Sequence, residues 1–191
     1  MTSPPGHAAK VAFLELHGAD AMAHSGSDLL AHLQGVHDLL RGWGAGDALC
    51  DAGLFHSVYG TEIFPTGAVP RELRPAVRDL IGEEAETLVH LFGTVARSSI
   101  FDAAFDGAPF LLESRSGEQV GVTSAQYTDL AALTVANWLE QRGRFPAAGQ
   151  RSRAREFDVM RRYLAPAPRQ ALEQAYGFAA LTEPTALLRQ T

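Results

Sequence analysis

The sequence is poor in the residues that staple or metallate small proteins. Among 191 residues there is one cysteine, Cys50, so an internal disulfide and a thiolate cluster for zinc or iron–sulfur are both excluded. Long apolar runs are missing too, and none approaches the roughly 18 residues that a bilayer span needs, so no membrane partner is expected. Residues 1–5 lack the basic and apolar regions of a secretory signal, and the expected location is the cytoplasm. Positive charge is in short supply. Lys and Arg number 16 against 22 Asp and Glu, a formal net charge of −6, which speaks against a general nucleic-acid binder but leaves room for a local basic pocket. A Gly-rich phosphate loop, a serine nucleophile elbow, a dinucleotide fingerprint, repeats and low-complexity tracts are all lacking. Cys50 reads as a small buried hydrophobe rather than a nucleophile.

What is present suits a soluble globular chain, because 46% hydrophobic residues and a mean hydropathy of −0.05 are enough for a core without a membrane. Helical patterns dominate. Residues 25–28 form a cap signal before a helix over 29–43, and a second helix is expected over 47–56, then a loop over 65–70. Further helices are expected over 71–81, 83–104, 125–141 (capped by Thr123 and Ser124), 151–164 and 166–176. Two β-rich runs between residues 110 and 123 flank a turn and predict one small hairpin. The expected architecture is all-α, a helical bundle forming one domain over 1–191. Its motif-bearing core covers about 24–142, with C-terminal helices within 150–177.

Seven histidines can be sorted by counting about 100° per residue round each helix. His32 falls at about −60° from Leu29, inside the arc of Leu33, Val36 and Leu40. His56 falls at about −20° from Leu49, beside the small residues Ala52 and Gly53. Asp129 shares the face of Ala132, Leu133 and Ala136, where a carboxylate is costly unless a cation or several donors meet it. Two inward histidines and one inward carboxylate have the chemistry of an open two-His-one-carboxylate metal site, and they could also satisfy one another by hydrogen bonding. The adjacent pair His37 and Asp38 reads as solvated surface, with Asp38 opposite the apolar arc. His90 lies off the face of Leu91 and Phe92. His24 sits in a Ser/Gly-rich turn where it can cap a helix or line a pocket mouth, and His7 and His17 have no companion signal.

The stretch His32–Leu33–Gln34–Gly35–Val36, followed by Ala52–Gly53–Leu54–Phe55–His56 with the two histidines 24 residues apart, resembles the opening of HD-domain proteins. The resemblance covers about 27–141. It implies an all-α metal-dependent phosphohydrolase, with His32, His56 and Asp129 as metal ligands and a divalent ion, Mn or Fe, as cofactor. The chain departs from the pattern at Ser57, where the family's name-giving aspartate would stand; a hydroxyl is a poor divalent-metal ligand and cannot bridge two ions. Glu62 is a possible substitute ligand or base, or an exposed loop carboxylate.

Three functions follow. The first is hydrolysis of a small phosphorylated molecule, with Arg71, Arg74 and Arg78 as phosphate forks or as a solvated basic face, and His24 at the substrate. The second is oxygenase chemistry: the HD-like myo-inositol oxygenase group holds two irons and uses dioxygen, and a two-His-one-carboxylate arrangement here could hold one Fe(II). The third is a metal-free descendant, a ligand-binding protein or an acid–base enzyme using His32 or His56 with Ser57, Tyr59 and Glu62 in the same cavity. The partner in each case is a small molecule. Oligomeric state is not written in the sequence.

Overall fold

A computed structural model describes residues 5–24, 27–107 and 111–179. The chain is mostly helical, with small antiparallel strand pairs, and it divides into two compact units, residues 1–94 and 95–191.

In the first unit, α1 (His7–Leu16) precedes a two-residue ribbon of β1 (Ala23–His24) and β2 (Ser27–Asp28), then α2 (Leu29–Gly42) and α3 (Asp47–Phe55). One 3-10 turn (Arg71–Leu73) leads into α4 (Arg74–Ile81), which is followed by α5 (Glu83–Thr94). The start of α2 is fixed by Asp28, whose carboxylate accepts the Ala31 N–H at 2.7 Å, so one otherwise unpaired amide of the first turn is satisfied. Leu29, Leu33, Val36 and Leu40 bury one stripe of α2 against α3. At their contact Gly53 leaves room for the Leu40 side chain, since a Cβ there would lie 2.6 Å from Leu40 Cδ1. α3 then packs on α5, and α4 on α5.

The N-terminal helix α1 has no counterpart among the expected elements. Its sequence lacks a side-chain cap, and it is held from outside itself by Leu14, which is fully buried, and by a buried ion pair of Lys10 Nζ with Asp51 of α3 at 2.5 Å. The ribbon β1–β2 likewise occupies part of what reads in the sequence as a capping loop.

In the second unit, α6 (Arg97–Asp106) leads to the expected hairpin, β3 (Leu111–Glu113) with β4 (Gln119–Gly121), in which Leu112 faces Val120. The single helix expected over 83–104 is therefore two helices. The break falls at Val95 and Ala96: Val95 pairs with Ser114, and the Ala96 N–H donates to the Glu113 carbonyl at 2.9 Å, which holds Ala96 extended. Next comes α7 (Ser124–Arg142), opened by a full capping box in which Thr123 and Gln126 each satisfy the other's backbone N–H. A short helix that was not expected, α8 (Ala147–Gln150), comes next, and the helix expected over 151–164 is α9 (Ala154–Met160), which runs on into a 3-10 turn (Arg161–Tyr163). Arg153 adopts φ +57° just before α9, so the helical ladder cannot run through it. The last element is α10 (Pro166–Tyr176), packed on α7, while α6 packs on α9. No helix among the described residues is long and apolar enough to cross a membrane.

Candidate functional site

His32, one turn into α2, and His56, the C-terminal cap of α3, are both buried, at 0% and 1% exposure. Their Nε2 atoms face each other at 3.1 Å. The α2–α3 contact at Gly53 brings the two elements close enough for this pairing. The Gly53 carbonyl also accepts a hydrogen bond from His56 Nδ1 at 2.8 Å. That carbonyl lies in the last turn of α3, where carbonyls have no partner within the helix. A carbonyl only accepts, so Nδ1 carries the proton, and a neutral His56 presents the lone pair of Nε2 toward His32. The edge-to-face ring of Phe92, with centroids 5.2 Å apart, closes the apolar side.

Two arrangements satisfy this geometry. In one, His32 donates Nε2–H to His56 Nε2. In the other, both lone pairs point at one cation: with metal–nitrogen bonds of about 2.1 Å, neighbouring ligand atoms stand about 3.0–3.4 Å apart, which brackets the observed separation. The Nδ1–carbonyl bond is the supporting contact that metal-bound imidazoles almost always make. By separation alone, the pair could supply two neighbouring ligands to a divalent ion. Among the described residues, no group of three or more His, Cys, Asp or Glu side chains is assembled to hold a metal. Asp129, the third expected ligand, belongs to α7 of the second unit and is half-buried.

After His56 the chain enters a tight loop. The Gly60 φ is +78°, and a Cβ on Gly67 would come within 2.6 Å of the Gly60 nitrogen, so the two glycines form a pinched base. The Val69 N–H donates to the Val58 carbonyl at 2.9 Å and the Thr61 N–H to the Phe64 carbonyl at 2.7 Å. Ser57 is buried and opens on a cavity of about 170 Å³ shared with Leu29, Phe64 and Thr66. Glu62, at the tip of the loop, is exposed.

Tyr59 points elsewhere, into a polar network that sequence reasoning missed. Its hydroxyl donates to Glu86 Oε1 at 3.3 Å, and Glu86, on α5, is 0% exposed. Arg74 grips the same carboxylate through Nε at 2.6 Å and Nη2 at 2.9 Å, and Arg78 adds a contact at 3.4 Å. Burial alone would raise the Glu86 pKa, but the Arg74 hydrogen bonds and charge, then those of Arg78, hold it below the ordinary carboxylate value. Burial and the Glu86 charge push the Tyr59 hydroxyl well above its usual range. Tyr59 thus stays protonated and serves as a donor to Glu86. The Arg74 fork expected at a phosphate is engaged by Glu86, while Arg71 is exposed on the 3-10 turn.

The other histidines do not all follow their angular positions on the helices. His37, expected in solvent, is buried, because α1 covers it and the His7 ring packs on it with centroids 4.6 Å apart. Its partner Asp38, with a side chain 78% exposed, is on the surface as expected and takes a 3.0 Å contact from His37 Nδ1. His24 lies in β1, and its side chain is outside the described residues. His90 is half-buried, and burial, then the nearby Arg74 charge, lowers its pKa. No curated protein and no solved structure matches the chain. A family model described as a domain of unknown function (DUF6817) matches residues 13–97, the stretch that holds His32, His56, Ser57 and Glu86.

Proposed function

We propose that the chain is a metal-dependent hydrolase of a small phosphorylated molecule, with His32 and His56 as ligands of a divalent ion, Mn or Fe. The observation that carries this reading is the buried Nε2–Nε2 separation of 3.1 Å combined with the Gly53 contact that keeps the His56 proton on Nδ1. The resemblance of this stretch to HD-domain proteins agrees with the same two residues. A divalent ion held by His32 and His56 would supply Lewis-acid chemistry toward a phosphoryl group. The protein's own contribution is orientation and exclusion of solvent. Gly53 fixes one imidazole, Phe92 and the burial of both rings keep bulk water away, and Ser57 leaves the adjoining wall neutral. A second reading, a metal-free histidine pair acting in acid–base chemistry or ligand binding, is favoured by the hydrogen-bonding length of the same contact.

The test is hydrolysis of p-nitrophenyl phosphate and a panel of phosphomonoesters, with Mn²⁺ or Fe²⁺ supplied after chelation. The metal reading expects turnover that depends on added ion and disappears in His32→Ala and His56→Ala. Turnover that persists in chelator selects the metal-free reading. Oxygen consumption by iron-loaded protein without phosphate release selects the oxygenase class.

A further inference from the structure

We infer that the cavity beside Ser57 is a binding site for a compact, uncharged, mainly apolar group of about six carbons, the organic part of the ligand. Its walls come from three directions: Met22 and Ala23 before α2, Leu29 on its first turn, and Ile63 with Phe64 on the pinched loop. None of its described lining residues is charged, and Ser57 and Thr66 are the polar ones. A charged group entering such walls would lose hydration without a partner, whereas an apolar one gains by leaving water.

Size and placement agree. The cleft is open to solvent on one side, and its volume of about 170 Å³ is close to the about 150 Å³ that holds benzene in an enclosed apolar protein cavity. Leu29 stands one helical turn before His32, and Ser57 directly follows His56, so the cavity adjoins both elements of the histidine pair. Ile63, 74% exposed on the loop, stands among its lining residues as an apolar side chain open to solvent. The hydroxyl of Ser57 supplies the polar contact that orients a bound ring. A carboxylate at residue 57 would instead place a charge in this wall. The location next to the reaction centre rests on the proposed function, but the ligand class rests on the lining alone.

The experiment titrates the full chain with cyclohexanol, cyclohexylamine and cyclohexanecarboxylate, following the methyl resonances of Met22, Leu29 and Ile63 by NMR. Cyclohexanol is expected to give saturable shifts with an affinity at least about tenfold above either charged isostere, because only the neutral ring avoids the desolvation cost. Ala23→Phe and Thr66→Trp, both at exposed lining positions, fill the space and are expected to abolish the shifts while the remaining spectrum stays folded. Equal binding of a charged isostere, absence of saturable shifts with cyclohexanol, or shifts that survive both substitutions would overturn the inference. Metal content measured on the same samples reports separately on the histidine pair, so failure of one claim is distinguishable from failure of the other.

Discussion

Replacing Arg74 by methionine removes the bidentate partner of a carboxylate that has no access to water. Glu86 is 0% exposed, and Arg74 supplies its two shortest contacts, at 2.6 and 2.9 Å. Breaking a buried pair by deleting one partner costs about 3–5 kcal/mol, because the remaining charge is buried without compensation. Here the lower end applies, since Tyr59 and Arg78 still reach the carboxylate at 3.3 and 3.4 Å. With a urea m-value of about 2 kcal/mol/M, a loss of about 3 kcal/mol moves the unfolding midpoint down by about 1.5 M. Methionine keeps the aliphatic stem, so the loss reports the charge rather than packing. Arg78→Met is the control: its side chain is 46% exposed, so the expected cost is below about 1 kcal/mol. The double variant Arg74→Met/Glu86→Leu is expected to recover most of the loss, as apolar replacements of buried pairs do. If Arg74→Met costs under about 1 kcal/mol, or the double variant is the sum of its parts, the buried carboxylate is not held by Arg74 and the reasoning fails.

Three further outcomes follow from the same geometry. Gly53→Ala puts a methyl 2.6 Å from Leu40 Cδ1, so the buried Leu40 side chain must leave its present position, at an overpacking cost of about 1–3 kcal/mol; NMR is expected to show the Leu40 methyl resonances shifted. Stability should fall with acid in two stages. The folded pKa values of His7, packed against His37 and near Lys10, Asp38 and Asp51, and of His90 are lowered from 6.5. Their contribution is therefore complete above pH 6.5 and is lost as pH falls through the lowered values; Glu86 adds a second loss below about pH 4.5, and urea midpoints measured from pH 8 to 3 would show both. Ser57→Asp adds a hard anionic oxygen beside His56, and under the metal reading it raises Mn²⁺ occupancy and the melting temperature in the presence of Mn²⁺. A destabilised variant that takes up no metal supports the metal-free reading.

Local chemistry was legible wherever one segment decides its own fate. Asp28 before α2, the Thr123 cap before α7, and the inward phases of His32 and His56 all depend on spacing within a helix or at its end. What remained illegible depends on segments distant in sequence. The break at Val95 and Ala96 comes from pairing with Glu113 and Ser114, and a continuous helical pattern carries no trace of that competition. Glu86 lies off the apolar face of α5, and it is buried because α4 and Tyr59 cover its polar side. The one available signal was the pair Arg74 and Arg78, four residues apart on one helix face and ahead of an acidic stretch. The burial of His37 is illegible for the same reason, since its cover is α1, a helix without a cap signal.

The most direct measurement of the central claim is elemental analysis of the full chain purified without chelator or affinity metal, set beside His32→Ala and His56→Ala prepared identically. The account predicts a divalent ion in the parent protein at close to one per chain, and its loss in both variants while their circular dichroism stays helical. A metal-free parent that also fails to take up Mn²⁺ or Fe²⁺ on dialysis, or an ion retained in both variants, would contradict it.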